Sequence, residues 1–138
     1  MTYLPCRKHL EILGDILYSY WLDNDKKVED ISILGSAIQL ADDENITLDP
    51  AAWNDWLEAI DGEKAEIILD QNVWIIKNSY QDRYISRGNQ YLDLKKGYIA
   101  AQKFLTKWMQ MMGDSVEIKD FAEWLTYERW SDAVGKTE

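Results

Sequence analysis

Leu10, Leu13, Leu17 and Trp21 recur at steps of three and four, the spacing that puts side chains on one face of an α-helix. They predict a helix over about residues 7–22, closed by the polar turn Asp23-Asn24-Asp25. Ile31, Leu34 and Ile38 form a shorter stripe and predict a second helix beginning near Asp30. A polar loop over residues 41–47 then leads to Asp49-Pro50, the sharpest helix start in the chain. Asp49 can accept from free backbone N–H groups, and Pro50 at the first helical position sacrifices no hydrogen bond. Leu48 and Trp53 are spaced to clamp that turn as a hydrophobic staple. Trp53, Trp56, Leu57 and Ile60 follow in helical phase, and Gly62 stops the element.

The second half repeats the style. Asp93 is placed to cap a long helix carrying Leu94, Tyr98, Ala101, Leu105, Trp108 and Met112 on one stripe, with Gly113 ending it. Ile118, Phe121 and Leu125 mark a short helix, and Trp130 with Val134 a last one. Residues 63–90 are ambiguous. Ile67, Ile68, Gln71, Trp74 and Ile75 fit a helix, whereas residues 66–69 and 73–76 also fit two short strands around Asp70-Gln71-Asn72. The pattern as a whole predicts one all-α domain of about six to seven helices over residues 1–138, with a β-hairpin over 66–76 as the local alternative.

A shift of 87 residues lays Ile12 on Ile99, Trp21 on Trp108 and Ile31 on Ile118. It also lays Leu17 on Phe104, Leu34 on Phe121 and Ile38 on Leu125. Dropping the loop before Pro50 brings Trp53 onto Trp130. Two related halves, 7–62 and 93–134 joined by 63–92, therefore stand beside a coincidence of similar amphipathic helix pairs.

Charge changes the picture more than composition does. Residues 28–63 hold ten acidic side chains and no Lys or Arg. Up to Glu63 the chain has 14 acidic residues against 4 basic ones, and from Lys64 onward 11 against 11, so the net charge of −10 resides in the first part. Folding requires no such asymmetry; it suits a surface that meets something basic. It disfavours direct nucleic-acid binding, which needs a basic footprint. Seven Trp, eight Tyr and two Phe supply a large apolar core and argue against disorder. The first residues lack a long apolar run, and no segment has the apolar length to span a bilayer, so a cytoplasmic protein with no membrane partner is expected.

Candidate chemistry is sparse. Cys6 is the only cysteine, so neither an internal disulfide nor a thiolate zinc site can form. His9 is the only histidine, which removes paired-imidazole metal sites. Cys6 and His9 stand three apart, as a nucleophile and its base could, but no third group is fixed beside them and they read as structural. In EF-hand phase from Asp23, Lys27 falls at the fifth position, Val28 replaces the glycine and Leu34 stands where a bidentate Glu belongs. The Asp42-Asp43-Glu44 run fails likewise, with Trp53 at its twelfth position. No P-loop, dinucleotide or nucleophile-elbow pattern occurs. The expectation is a binding protein with no catalytic residue, cofactor or metal. Its partner-binding residues are expected to be Asp23, Asp25, Glu29, Asp42, Asp43, Glu44 and Asp55, with aromatic anchors among them.

The run Asp30-Ile31-Ser32-Ile33-Leu34-Gly35-Ser36-Ala37-Ile38-Gln39-Leu40, followed by Asp49-Pro50-Ala51-Ala52-Trp53-Asn54-Asp55-Trp56-Leu57, resembles small bacterial immunity proteins encoded beside polymorphic toxins, including those of contact-dependent growth inhibition. The likeness covers roughly residues 10–60. A fainter one runs from Leu94 to Asp132, where Tyr98, Phe104, Leu105 and Trp108 resemble the helix preceding that pattern. The resemblance implies a helical binder that neutralises a cognate toxin domain, here one with a basic groove. Nucleic-acid mimicry, with carboxylates imitating phosphates before a DNA-binding or restriction protein, is the alternative.

Overall fold

The computed structural model describes residues 3–39, 49–61 and 91–137. Among them the fold is all-α with one small antiparallel ribbon. Strand β1 (Tyr3–Pro5) runs directly into helix α1 (Cys6–Asp23), followed by α2 (Glu29–Ala37) and α3 (Pro50–Asp61). Strand β2 (Tyr91–Asp93) runs directly into α4 (Leu94–Met111), followed by α5 (Val116–Trp124) and α6 (Tyr127–Thr137). No described helix is long and apolar enough to cross a membrane.

The expected helices form within a residue or two of their anticipated limits, because their end signals are local. Asp49 Oδ1 accepts from the Ala51 amide at 2.9 Å, and Asp93 Oδ1 accepts from that of Lys96 at 2.7 Å. Ser115 does the same for Ile118 at the start of α5. Gly113, with φ +72, turns the chain after α4 in the left-handed region that glycine tolerates. Trp53, Trp56 and Trp130 are fully buried and join Phe104 and Phe121 as the largest side chains of one continuous core. Leu48 and the stretch 62–90 lie outside the described residues, and with them the proposed staple and the helix-or-hairpin alternative over 66–76.

The ribbon was not anticipated. Tyr3 pairs with Asp93, Leu4 with Leu92 and Pro5 with Tyr91, so segments far apart in the sequence lock the starts of α1 and α4 together.

The two runs have the same order, and their elements match in length to within one residue. Cys6 to Leu94 and Asp23 to Met111 are both steps of 88, as are Tyr3 to Tyr91 and Pro5 to Asp93. Glu29 to Val116 and Ala37 to Trp124 are steps of 87, because the turn after α1 is one residue longer than the turn after α4. The offset of 87 read from the sequence therefore fits the short helices, while strand and long helix take 88. The contacts obey the same correspondence. Leu4 pairs with its counterpart Leu92, and the Asp30 amide donates to the carboxylate of its counterpart Glu117 at 2.8 Å. The Trp56 indole donates to the Cys6 carbonyl at 3.0 Å, and the Trp130 indole to the Leu94 carbonyl at 3.1 Å, each the first residue of a long helix. By this bond Trp130 plays the part of Trp56, whereas the helix starts Pro50 and Tyr127 keep the shift that sets Trp53 on Trp130. Equivalent positions meeting one another is the arrangement that a two-fold axis between halves produces.

Candidate protein-docking groove

Helices α1 and α2 pack side by side but leave a groove of about 480 Å³ between them. From α1 it is lined by Glu11, Gly14, Asp15, Leu17, Tyr18 and Trp21, among which Glu11, Gly14, Tyr18 and Trp21 recur at steps of three and four. Ile31, Ser32, Gly35 and Ser36 form the α2 wall. Tyr18 is 60% exposed, and its ring lies 5.9 Å from that of Trp21 in a tilted pair. Leu22 and Ile33 are also exposed on these two helices. Among the described residues, two acids and no Lys or Arg line the groove, and Lys8 pairs with one of them, Glu11, at 3.4 Å. Partial burial, together with the neighbouring Glu11 charge, pushes the Asp15 carboxyl above its ordinary value, against a smaller opposing pull from Lys8.

A second groove, of about 440 Å³, lies where α1 faces Trp124 and α6. Its charged lining is mixed: Asp15 and Asp132 stand against Arg129 and Lys136, and Arg129 is already stacked 4.5 Å from the Trp124 ring centroid. It has no charge preference to offer a partner.

The expected binding residues divide into three groups. Asp23 ends α1, Glu29 begins α2 and Asp25 stands in the turn between them; all three are exposed. That turn holds two consecutive residues in the left-handed region, Asp25 at φ 57° and Lys26 at φ 62°. Asp tolerates this conformation and Lys does so less readily. The turn is secured by the Asn24 side chain, which donates to the Tyr20 carbonyl at 2.8 Å. Lys26 reaches back over Trp21, 5.6 Å from the ring centroid. Asp42, Asp43 and Glu44 lie outside the described residues. Asp55 was expected on the docking rim but is 7% exposed, and its Oδ1 pairs with Lys107 Nζ at 2.7 Å. It is part of the internal joint between α3 and α4, which Glu58 completes at 2.5 Å from the same ammonium. These two carboxylates raise the Lys107 pKa through the hydrogen bonds they accept.

Sequence reasoning placed Trp21 on the core stripe with Leu10, Leu13 and Leu17 and missed Glu11, Asp15 and Tyr18 beside it. The signal was present: Glu11, Asp15 and Tyr18 stand at steps of four and three on a face that adjoins the core stripe at Gly14, Leu17 and Trp21. Cys6 and His9 are both fully buried. The His9 Nε2–H donates to the Leu92 carbonyl at 3.0 Å, and the ring stacks on Trp130 at 5.9 Å. Burial holds the imidazole pKa below its ordinary value, opposed by the Leu92 carbonyl, the Asp93 carboxylate and the Leu4 carbonyl. A neutral ring committed to backbone in the core is a packing element.

No family model matches this chain, and no curated protein or solved structure matches it. The groove and its charges are therefore interpreted on their own chemistry.

Proposed function

We propose that this protein is an immunity-type inhibitor that binds a cognate basic toxin domain and blocks its active site or substrate entry. The observation that carries the reading is the α1–α2 groove. Carboxylates at Glu11 and Asp15 stand beside the exposed Tyr18 and the half-buried Trp21, with Asp23, Asp25 and Glu29 at the far end of the same two helices. Aromatic anchors beside carboxylates are what a protein interface needs, since rings supply the buried area and charges the steering, and the acids here prevail although Lys8 pairs with Glu11 and Lys26 lies over Trp21. The acidic first half and the immunity-type resemblance of residues 10–60 agree with it. Nucleic-acid mimicry would call for carboxylates spaced regularly along an elongated face; Glu11 and Asp15 instead line a groove with Tyr18 and Trp21, which favours a protein partner.

The test uses the toxin domain encoded immediately beside this gene. Producing that domain alone should arrest growth, and producing this protein with it should restore growth, with the two proteins co-purifying. A toxin domain that stays active and unbound in the presence of this protein would overturn the reading.

A further inference from the structure

We infer that the α1–α2 groove receives an arginine-bearing segment of the partner, because, among the described residues, one half leaves open a seam that the other half fills. The inference rests on the toxin-binding reading and adds the chemistry of the contact.

The corresponding seam lies between α4 and α5. There Gln102 spans the gap: its Nε2 donates to the carbonyls of Ala122 and Leu125, both at 2.9 Å. The Tyr98 hydroxyl donates to the same Leu125 carbonyl at 2.9 Å. By the offsets of 88 and 87, Gln102 corresponds to Gly14, Ala122 to Gly35, Tyr98 to Leu10 and Leu125 to Ile38. The bridging side chains are thus replaced by a residue with no side chain and by one with no polar group.

Packing within the chain does not require these glycines. A Cβ on Gly14 would meet Ile38 Cδ1 at 3.7 Å, and one on Gly35 would meet Leu17 Cβ at 4.0 Å, both ordinary contacts. Neither has the positive φ that favours glycine. Glycine inside a helix is unfavourable relative to alanine, so two of them facing one groove keep a space that the fold itself does not use. Charge says what the space suits. Asp15 stands where the second half has Lys103, and Glu11 where it has Ile99. The change from neutral and basic to doubly acidic falls on the groove wall. A guanidinium can accept the planar face of Tyr18 or Trp21 while its N–H fork donates to carboxylates, a combination that an ammonium does not match. Lys8, 3.4 Å from Glu11, offsets the Asp15–Glu11 repulsion only in part, and a second cation would relieve the rest.

The experiment titrates the full chain with a capped hexa-arginine peptide and follows amide resonances, with hexalysine as the comparison. Hexa-arginine should shift Gly14, Asp15, Tyr18 and Gly35 at least tenfold more tightly than hexalysine does. Gly14→Gln reproduces the plug of the second half, so it should melt no lower than the parent and lose those shifts. Glu11→Gln with Asp15→Asn removes the charge without filling the space and should lose them too. Groove shifts that survive in both variants, equal affinity for the two peptides, or shifts confined to Asp23, Asp25 and Glu29 would overturn the inference. The growth assay keeps the two claims apart. If the parent and Gly14→Gln neutralise the toxin domain equally, the groove assignment fails and the immunity reading stands. If the peptide occupies the groove but no toxin domain is neutralised, the immunity reading fails and the arginine assignment stands on the titration.

Discussion

The ring of His9 lies against the backbone of Gly97 so closely that a Cβ added there would fall 2.2 Å from Nδ1, 2.5 Å from Cε1 and 2.9 Å from Cγ. These two residues are counterparts, His9 three residues into α1 and Gly97 three residues into α4. One position of the repeat carries a large ring and its partner carries nothing, which lets the two helices approach. Gly97→Ala should therefore force a buried ring off Trp130. The expected loss is about 1–3 kcal/mol, the usual range for overpacking, even after the gain of roughly 1 kcal/mol for removing a helix-interior glycine. Urea denaturation measures it. His9→Ala combined with Gly97→Ala should cost less than the two single changes added together, because removing the ring removes what the new Cβ collides with.

The same burial gives His9 a pH signature. Its folded pKa lies below the unfolded value near 6.5, so the unfolded chain binds the proton first as pH falls. Stability is full above about 6.5 and declines as pH drops from there toward the folded pKa. His9→Gln keeps a donor for the Leu92 carbonyl but does not titrate. Its stability should fall less between pH 7 and pH 5 than that of the parent, by chemical denaturation at each pH. Equal slopes would mean that His9 does not set this limb.

Asp15 has the opposite sign. Its folded pKa is raised by burial and by Glu11, so its ionised form is the disfavoured one and stability from this group falls as pH rises from the unfolded value near 3.8 through the folded one. Asp15→Asn should hold or raise the melting temperature at pH 7 while weakening partner binding. Residues kept for binding at some expense to stability behave this way. A melting temperature lowered by this change would show that the carboxylate supports the fold.

Lys107 and Asp55 join α4 to α3 through a pair with one buried end. Lys107→Met keeps the aliphatic stem and strands the Asp55 carboxylate. A loss of about 1–3 kcal/mol is expected, the penalty for an unsatisfied buried polar group. Asp55→Asn keeps an acceptor for Lys107 and should cost less. Since Lys107 is half-exposed, added salt should shrink the difference only partly.

What the sequence disclosed follows the range of each interaction. Asp49-Pro50 and Asp93 announce helices because a cap acts within three residues. The stripes through Trp53, Trp56, Phe104 and Trp108 announce the core because helical phase is a local property. Tyr3–Pro5 pairing with Tyr91–Asp93 is invisible in either triplet alone. Asp55 was misplaced for the same reason: an acid between two tryptophans reads as outward-facing until Lys107, distant in sequence, is brought beside it. The groove needed one thing more, the offset of 88 that sets Gly14 against Gln102. An offset of 87 sets Gly14 against Ala101 and hides the missing plug.

Asp23, Asp25 and Glu29 make no ion pair within 4.0 Å to a described residue, which leaves their charge available to act at a distance. A basic partner is drawn toward such a cluster before any contact forms, so the charges act on the association rate. Asp23→Lys with Glu29→Lys reverses the sign there. Asp25→Asn completes the set, because Asn tolerates the left-handed conformation that Asp25 holds and Lys tolerates it less well. These are surface positions, and the triple change should move stability little, apart from a few tenths of a kcal/mol for removing an acid from the first turn of α2. Stopped-flow mixing with the toxin domain should show association slowed about tenfold or more, and its dependence on ionic strength flattened, with dissociation nearly unchanged. If the complex instead forms at the parent rate and only falls apart faster, these acids are contact residues and not steering charges, and the long-range attraction must come from elsewhere on the acidic half.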